Sequence, residues 1–218
     1  MAKEDRTGNR RCRKNFARRT PSLGHYFIVT DTQETEKNYL YGLRDSLSQE
    51  VQGRIVISVS KAKTKELVDV CQRMSALEPQ YAEPWIVFDR DQVVDFDKII
   101  QYAEQQKINV GWSNSCIEIW FDAYFGIMHN YHDSVSCCRE FAKTFEKQTG
   151  VKYKKANPKI YSLLNSHGNE KSAIQIAKIK LDLFNKENIV VPSQMCPCTT
   201  LHKLVEEIHS RADNALTK

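Results

Sequence analysis

The chain has 218 residues, 41% hydrophobic and 27% charged, with a formal net charge of +5. That is enough apolar material for one ordinary domain, or a domain with an added lobe, and with only 8 Gly and 6 Pro it excludes collagen-like and wholly disordered chains. Apolar runs such as WIVF and IEIWF fall far short of the ~20 residues a membrane helix needs, so no membrane association is expected.

The chain opens on a basic arm. Residues 1–20 hold eight basic residues (Lys3, Arg6, Arg10, Arg11, Arg13, Lys14, Arg18 and Arg19) against two acids, Glu4 and Asp5, and the rest of the chain is near neutral. An arm over residues 1–22 can neutralise phosphates and add salt-dependent affinity for nucleic acid, or it can be a solvated, flexible tail. It lacks the apolar segment of a secretory signal, and a cytoplasmic chain is the expectation. Seven cysteines, an odd number at irregular spacing, read as free thiols.

Next comes GHYFIVT (24–30), aromatic and β-branched, a strand. ETEKNYLYGLRDSLSQE (34–50) sets Tyr39, Leu40, Leu43 and Leu47 at helical spacing. GRIVISVS (53–60) is a second strand, and TKELVDVCQRMSAL (64–77) a helix with Leu67, Val70, Cys71, Met74 and Leu77 on one face. PWIVFD (84–89) is apolar throughout and therefore a central strand. FDKIIQYAEQQK (96–107) is helical, and INVGWS (108–113) is a fourth strand. Such alternation implies a Rossmann-like α/β fold, a parallel sheet of about four strands with right-handed crossovers. Its ligand sites lie at the carboxyl ends of the strands. Residues 23–130 form this core. From 131 to 218 the segments 134–150, 158–168, 169–188 and 199–216 favour helix, punctuated by Pro158, Gly168, Pro192 and Pro197, and form a helical lobe packed on the core.

Acidic residues gather where strands end. Strand one runs into Asp31, Glu34 and Glu36, strand three into Asp89 and Asp91, and strand four into a helix carrying Glu118 and Asp122. Parallel neighbours lie ~4.8 Å apart, so Asp31 and Asp89 can converge on one edge. Crowded carboxylates repel unless a cation joins them, and oxygen-only ligands suit Mg²⁺ or Mn²⁺ rather than zinc. A structural reading stands beside this one. Asp31 with Glu34 fits a capping box, Asp95 can cap the third helix, and Glu118 with Asp122, four apart, can be a solvated helical face.

Taken in order, the pieces TDTQETEKNYL (30–40), FDRD (88–91), SNSCIEIW (113–120) and CPCTTLHKLVEE (196–207) resemble the pattern of the RloB-like family. That pattern is a strand with TEG-x-x-TE-x-NYF, a strand ending FDRD, a strand ending SNP-x-FE-x-W, and NPSTN-x-H-x-LVE. The resemblance covers roughly residues 24 to 210. It implies a Toprim-like fold and a metal site. Asp31 would be the ligand or general acid/base after the first strand, and Glu36 the second acid of that motif. Asp89 and Asp91 would bind Mg²⁺ or Mn²⁺, and Glu118 would be a further acid, with Asn114 shaping the turn before it. The chain departs from the pattern at Asp31-Thr32, where the family has Glu-Gly, and at Ser115, where it has Pro. The shorter Asp31 and the bulkier Thr32 leave the D-x-D half intact and weaken the first-strand half.

The resemblance further implies an effector of a bacterial antiphage, abortive-infection system with a partner ATPase of the ABC/AAA type, hydrolysing phosphodiester bonds in DNA or RNA, tRNA included. Arg90, Lys61 and Lys63 would offset phosphate charge. The alternatives are a catalytically weakened Toprim-like module that binds nucleic acid or the ATPase, and a subunit whose main task is assembly. Cys196, Cys198 and His202 offer zinc-type ligands and would need a fourth from Cys137, Cys138, His129 or His132, but their spacing matches no standard finger. Cys137 and Cys138 read as core packing, Trp112 and Trp120 as core, and His25 as structural. Without a Gly-rich phosphate loop, no ATP binding by the chain itself is expected.

Overall fold

The computed structural model describes residues 26–30, 34–60, 63–77, 83–91, 93–131 and 133–216, with side chains as far as residue 213. The basic arm (Arg10, Arg11, Arg13, Lys14, Arg18 and Arg19), His25, Asp31, Thr32, Lys61 and His132 lie outside them.

Four parallel strands form where the apolar runs predict them: β1 (Tyr26–Thr30), β2 (Ile55–Val59), β3 (Glu83–Asp89) and β4 (Asn109–Asn114). A fifth, β5 (Cys198–Thr199), adds antiparallel to β4, giving the order β2-β1-β3-β4-β5. The sequence reading missed β5 because two residues are too short to show a period. Thr199 is held by its hydroxyl, which lies 3.0 Å from Ser113 Oγ and donates to the Trp112 carbonyl at 2.9 Å. The apolar β3 is central, as its unbroken hydrophobicity predicts.

The helices are α1 (Thr35–Asp45), α2 (Gln49–Gln52), α3 (Leu67–Leu77), α4 (Phe96–Gln105), α5 (Glu118–Ala123), α6 (Ser134–Thr149), α7 (Ile160–His167), α8 (Glu170–Lys186) and α9 (Leu201–Leu216). The helix expected over 34–50 breaks at Ser46, whose hydroxyl donates to the Leu43 carbonyl, so α2 is a separate short turn. The Asp95 cap does not form, and the Asp31 half of the expected capping box lies outside the described residues. Glu34 stands at the N-cap of α1 and Asp95 at that of α4, both without a side-chain capping bond; Asp95 pairs with Lys98 instead. Asp133 and Asn169 do cap α6 and α8, accepting from the N–H of Ser136 and Ser172.

Strand alternation sorts side chains to two faces. Tyr26, Ile28, Trp85 and Val87 join one core with α1, α5, α6, α7, α8 and α9. Phe27, Val29, Ile86 and Phe88 join the other with α3 and α4. Residues 134–213 therefore pack largely on the first face and share its core with the sheet. Asp89 has the parity of Trp85 and Val87 and lies on that same face. Gly42 lets α1 lie close on α7: a Cβ there would come 2.4 Å from Tyr161 Cβ.

Candidate metal centre

The chain reverses its winding between β1 and β3. From β1 it turns through α1 to β2 on one side, then crosses back through α3 to β3 on the other. Where neighbouring strands diverge in this way, a crevice opens beyond their carboxyl ends. Thr30 pairs with Val87 in register, so β1 ends beside the end of β3. Glu36, in the first turn of α1, and Asp89, the last residue of β3, flank that crevice. β4 leads into α5, whose first residue, Glu118, is 1% exposed.

These three acids act on one another. The Asp89 carboxyl is held well above the usual carboxylate range, first by burial, then by the negative charges of Glu36 and Glu118 and a side-chain hydrogen bond with Glu36. The N–H of Ile117, donating to Asp89 Oδ2 at 3.0 Å, opposes the rise. Among the described residues no lysine or arginine forms an ion pair with Asp89. The oxygen-only donors and their mutual repulsion are what a hard divalent ion relieves, so Glu36 and Asp89 fit Mg²⁺ or Mn²⁺. Asp31 follows Thr30 directly in sequence and lies outside the described residues.

The other acids part company. Asp91 sits on the exposed turn after β3 at φ +24°, and Ser134 Oγ donates to its carboxylate. With Ser134, Val135, Cys138 and Lys155 it lines a cavity of about 300 Å³. Glu118 accepts from Tyr153 OH at 2.8 Å and lies 4.0 Å from Lys155 Nζ. Asp122 corrects the solvated-face reading: it is buried, its Oδ2 lies 2.5 Å from His129 Nδ1 and accepts from Tyr131 OH at 3.3 Å. Arg90 is half-buried and Nη1 donates to Asn114 Oδ1 at 3.4 Å, while Lys63 is exposed.

Sequence reasoning missed Tyr153 and Lys155, which reach Glu118 from the segment after α6 and follow no motif. It also missed that Cys116 and Cys138 meet Glu118, with ligand atoms all within 4.8 Å of one another. Cys137 is buried core, as expected, but Cys138 is only half-buried. Cys196, Cys198 and His202 do not gather as ligands: Cys198 is buried in β5, and His202 Nδ1 bonds the Thr199 carbonyl at 3.0 Å. Trp112 and Trp120 are buried in the two cores.

A family model described as RloB-like protein matches residues 26–208. No curated protein and no solved structure matches the chain. The family match spans most of the chain, which belongs to the RloB-like family.

Proposed function

We propose that this member of the RloB-like family is a nuclease of the Toprim type, hydrolysing phosphodiester bonds with Mg²⁺ or Mn²⁺ held at the carboxyl edge of the sheet. One observation carries the reading: Glu36, Asp89 and Glu118, far apart in sequence, crowd beside the β1/β3 crevice, where burial, the charges of Glu36 and Glu118 and a hydrogen bond with Glu36 raise the Asp89 carboxyl. A protein keeps such a cluster where it has use for a cation. In this reading Asp31 and Asp91 join Glu36 and Asp89 as ligands, and Glu118 is the third acid.

When bound, the ion would draw charge off the scissile phosphate and favour ionised water as the nucleophile. The chain's own residues do the rest. Asp89, raised while no ion is bound, gives up its proton when it ligates the cation, and an acid such as Asp31 or Glu36 handles the proton of the reaction. Tyr153 orients Glu118 by hydrogen bonding. Arg90 and Lys155 sit beside the same rim and offset phosphate charge, and the arm at residues 1–20 adds salt-dependent affinity for the polyanion. The same family membership supports work as an antiphage effector with an ABC/AAA-type ATPase, on DNA or RNA, with tRNA among the substrates to test.

The experiment is cleavage of single-stranded DNA, duplex DNA and tRNA with Mg²⁺ or Mn²⁺, with and without the partner ATPase. Wild type cuts one of them, and Asp89→Asn binds but does not cut. A wild type that binds nucleic acid yet stays inert with the ATPase present would instead make the chain a binding module.

A further inference from the structure

Beside the acidic rim lies a cluster of different chemistry. Cys116 sits two residues before Glu118 at the entry to α5, and Cys138 lies in the second turn of α6. The two sulfurs and a Glu118 carboxylate oxygen all lie within 4.8 Å of one another. A tetrahedral ion with bonds of ~2.3 Å to sulfur spaces its sulfur ligands on the order of 3.8 Å apart, so a small contraction closes this set around an ion. Two thiols with one carboxylate match zinc-like, thiophilic cations and mismatch Mg²⁺, which takes oxygen.

Three further observations point to a cation here. Lys155 already brings its ammonium against the cluster, 4.0 Å from Glu118 Oε1. Its side chain is 57% exposed, so it can withdraw or stay as an outer counter-charge. The cavity of about 300 Å³ lined by Cys138, Lys155, Asp91 and Ser134 gives an entry path and room for a water. Tyr153 OH donates to Glu118 Oε1, the outer-sphere bond that orients a ligating carboxylate.

We propose that Cys116, Cys138 and Glu118 form a three-ligand site for a thiophilic divalent cation of the Zn²⁺ class, its fourth position open to water on the cavity side. On binding, the two thiols release their protons to solvent and form two metal–sulfur bonds. Exchanging two protons for one divalent ion leaves the net charge of this buried site unchanged, so no additional charge is buried. The site does not depend on the nuclease reading, but it shares Glu118 with the acidic cluster, so one carboxylate joins a soft and a hard cation position.

The test uses full-length, reduced, metal-stripped protein titrated with Co²⁺. A thiolate-to-cobalt charge-transfer band in the near ultraviolet is expected at stoichiometric metal and is bleached by Zn²⁺. Cys138→Ser, at a half-buried position, removes the band. Cys196→Ser, at another half-buried cysteine, keeps it. Glu118→Gln keeps the band but weakens binding by about tenfold or more. X-ray absorption at the zinc edge of the wild type reads two sulfur ligands without any variant having to fold. A band absent from wild type, retained in Cys138→Ser or lost in Cys196→Ser, or a zinc shell of oxygen and nitrogen alone, would overturn the site. Nuclease activity enters none of these readouts.

Discussion

Strand β3 ends in an acid on both sides, and the two ends are treated in opposite ways. At its amino end Glu83 meets Arg211 Nη2 at 2.9 Å, and the same nitrogen holds Glu207 at 2.9 Å. Tyr26, paired in register with Glu83, donates from its hydroxyl to Glu207, and its ring lies 5.8 Å from the Arg211 guanidinium. Burial and Glu83 raise the Glu207 carboxyl, but Arg211 and Tyr26 pull it back. At the carboxyl end, Asp89 meets Glu36 and Glu118, and the N–H of Ile117 opposes the rise. The first end is a closed network that holds α9 to the sheet. The second crowds like charge around Asp89 on the same scaffold, with Lys155 4.0 Å from Glu118 beside it, a local violation of the kind expected at functional sites.

The sharpest way to break this contrast is Asp89→Asn. Cleavage is expected to fall by about a hundredfold to a thousandfold, the scale seen when one group stabilising a transition state is removed. Thermal stability should hold or rise, because repulsion is removed as well. Cleavage in proportion to wild type, or a large drop in melting temperature, would make Asp89 a structural acid like Glu83.

The pH dependence comes next. Asp89 has its folded pKa raised above its unfolded value. The stability from the proton it holds is therefore fully present below the ordinary carboxylate pKa of about 4 and is lost as pH rises through the raised value. Urea denaturation across that window should show stability falling by up to about 1.4 kcal/mol per pH unit, and Asp89→Asn should flatten the slope. His202 works the other way at the acid end. Burial lowers it to about 4, so its contribution is lost as pH falls from 6.5 to that value.

Gly42→Ala tests the scaffold that carries Glu36. The new Cβ would meet Tyr161 Cβ at 2.4 Å, so α1 or α7 must shift, costing about 1–3 kcal/mol by denaturation. If the shift moves Glu36, cleavage falls with it. The smallest effect is expected at the closed end: Arg211→Met should cost about 1 kcal/mol, since the groups there are partly exposed. A double-mutant cycle with Glu83→Gln isolates the pair, and cleavage should be unchanged.

Much of this was legible in the order of residues. Apolar runs set four strands and their alternation with helices, and an unbroken WIVF identified the central strand, because these are local periodicities of the backbone. That acids follow strands was equally visible; parallel pairing was expected to bring Asp31 and Asp89 to one edge, and among the described residues it is Glu36 that meets Asp89 there. The β5 edge was hidden in two residues held by hydroxyl contacts to β4. The burial of Asp122, expected to face solvent, followed from α5 packing on every side, which a polar pair four apart does not reveal.

The sequence by itself determined the α/β architecture and which strand ends carry acids, because those properties repeat over a few residues. Only the tertiary structure decided which charges meet which. Strand parity placed Asp89 toward α1 and α5, long-range packing brought Tyr153, Lys155 and Cys138 to Glu118, and Arg211 from the far end of the chain closed the opposite edge. Pairings between distant segments depend on register and crossover, and no local pattern encodes them.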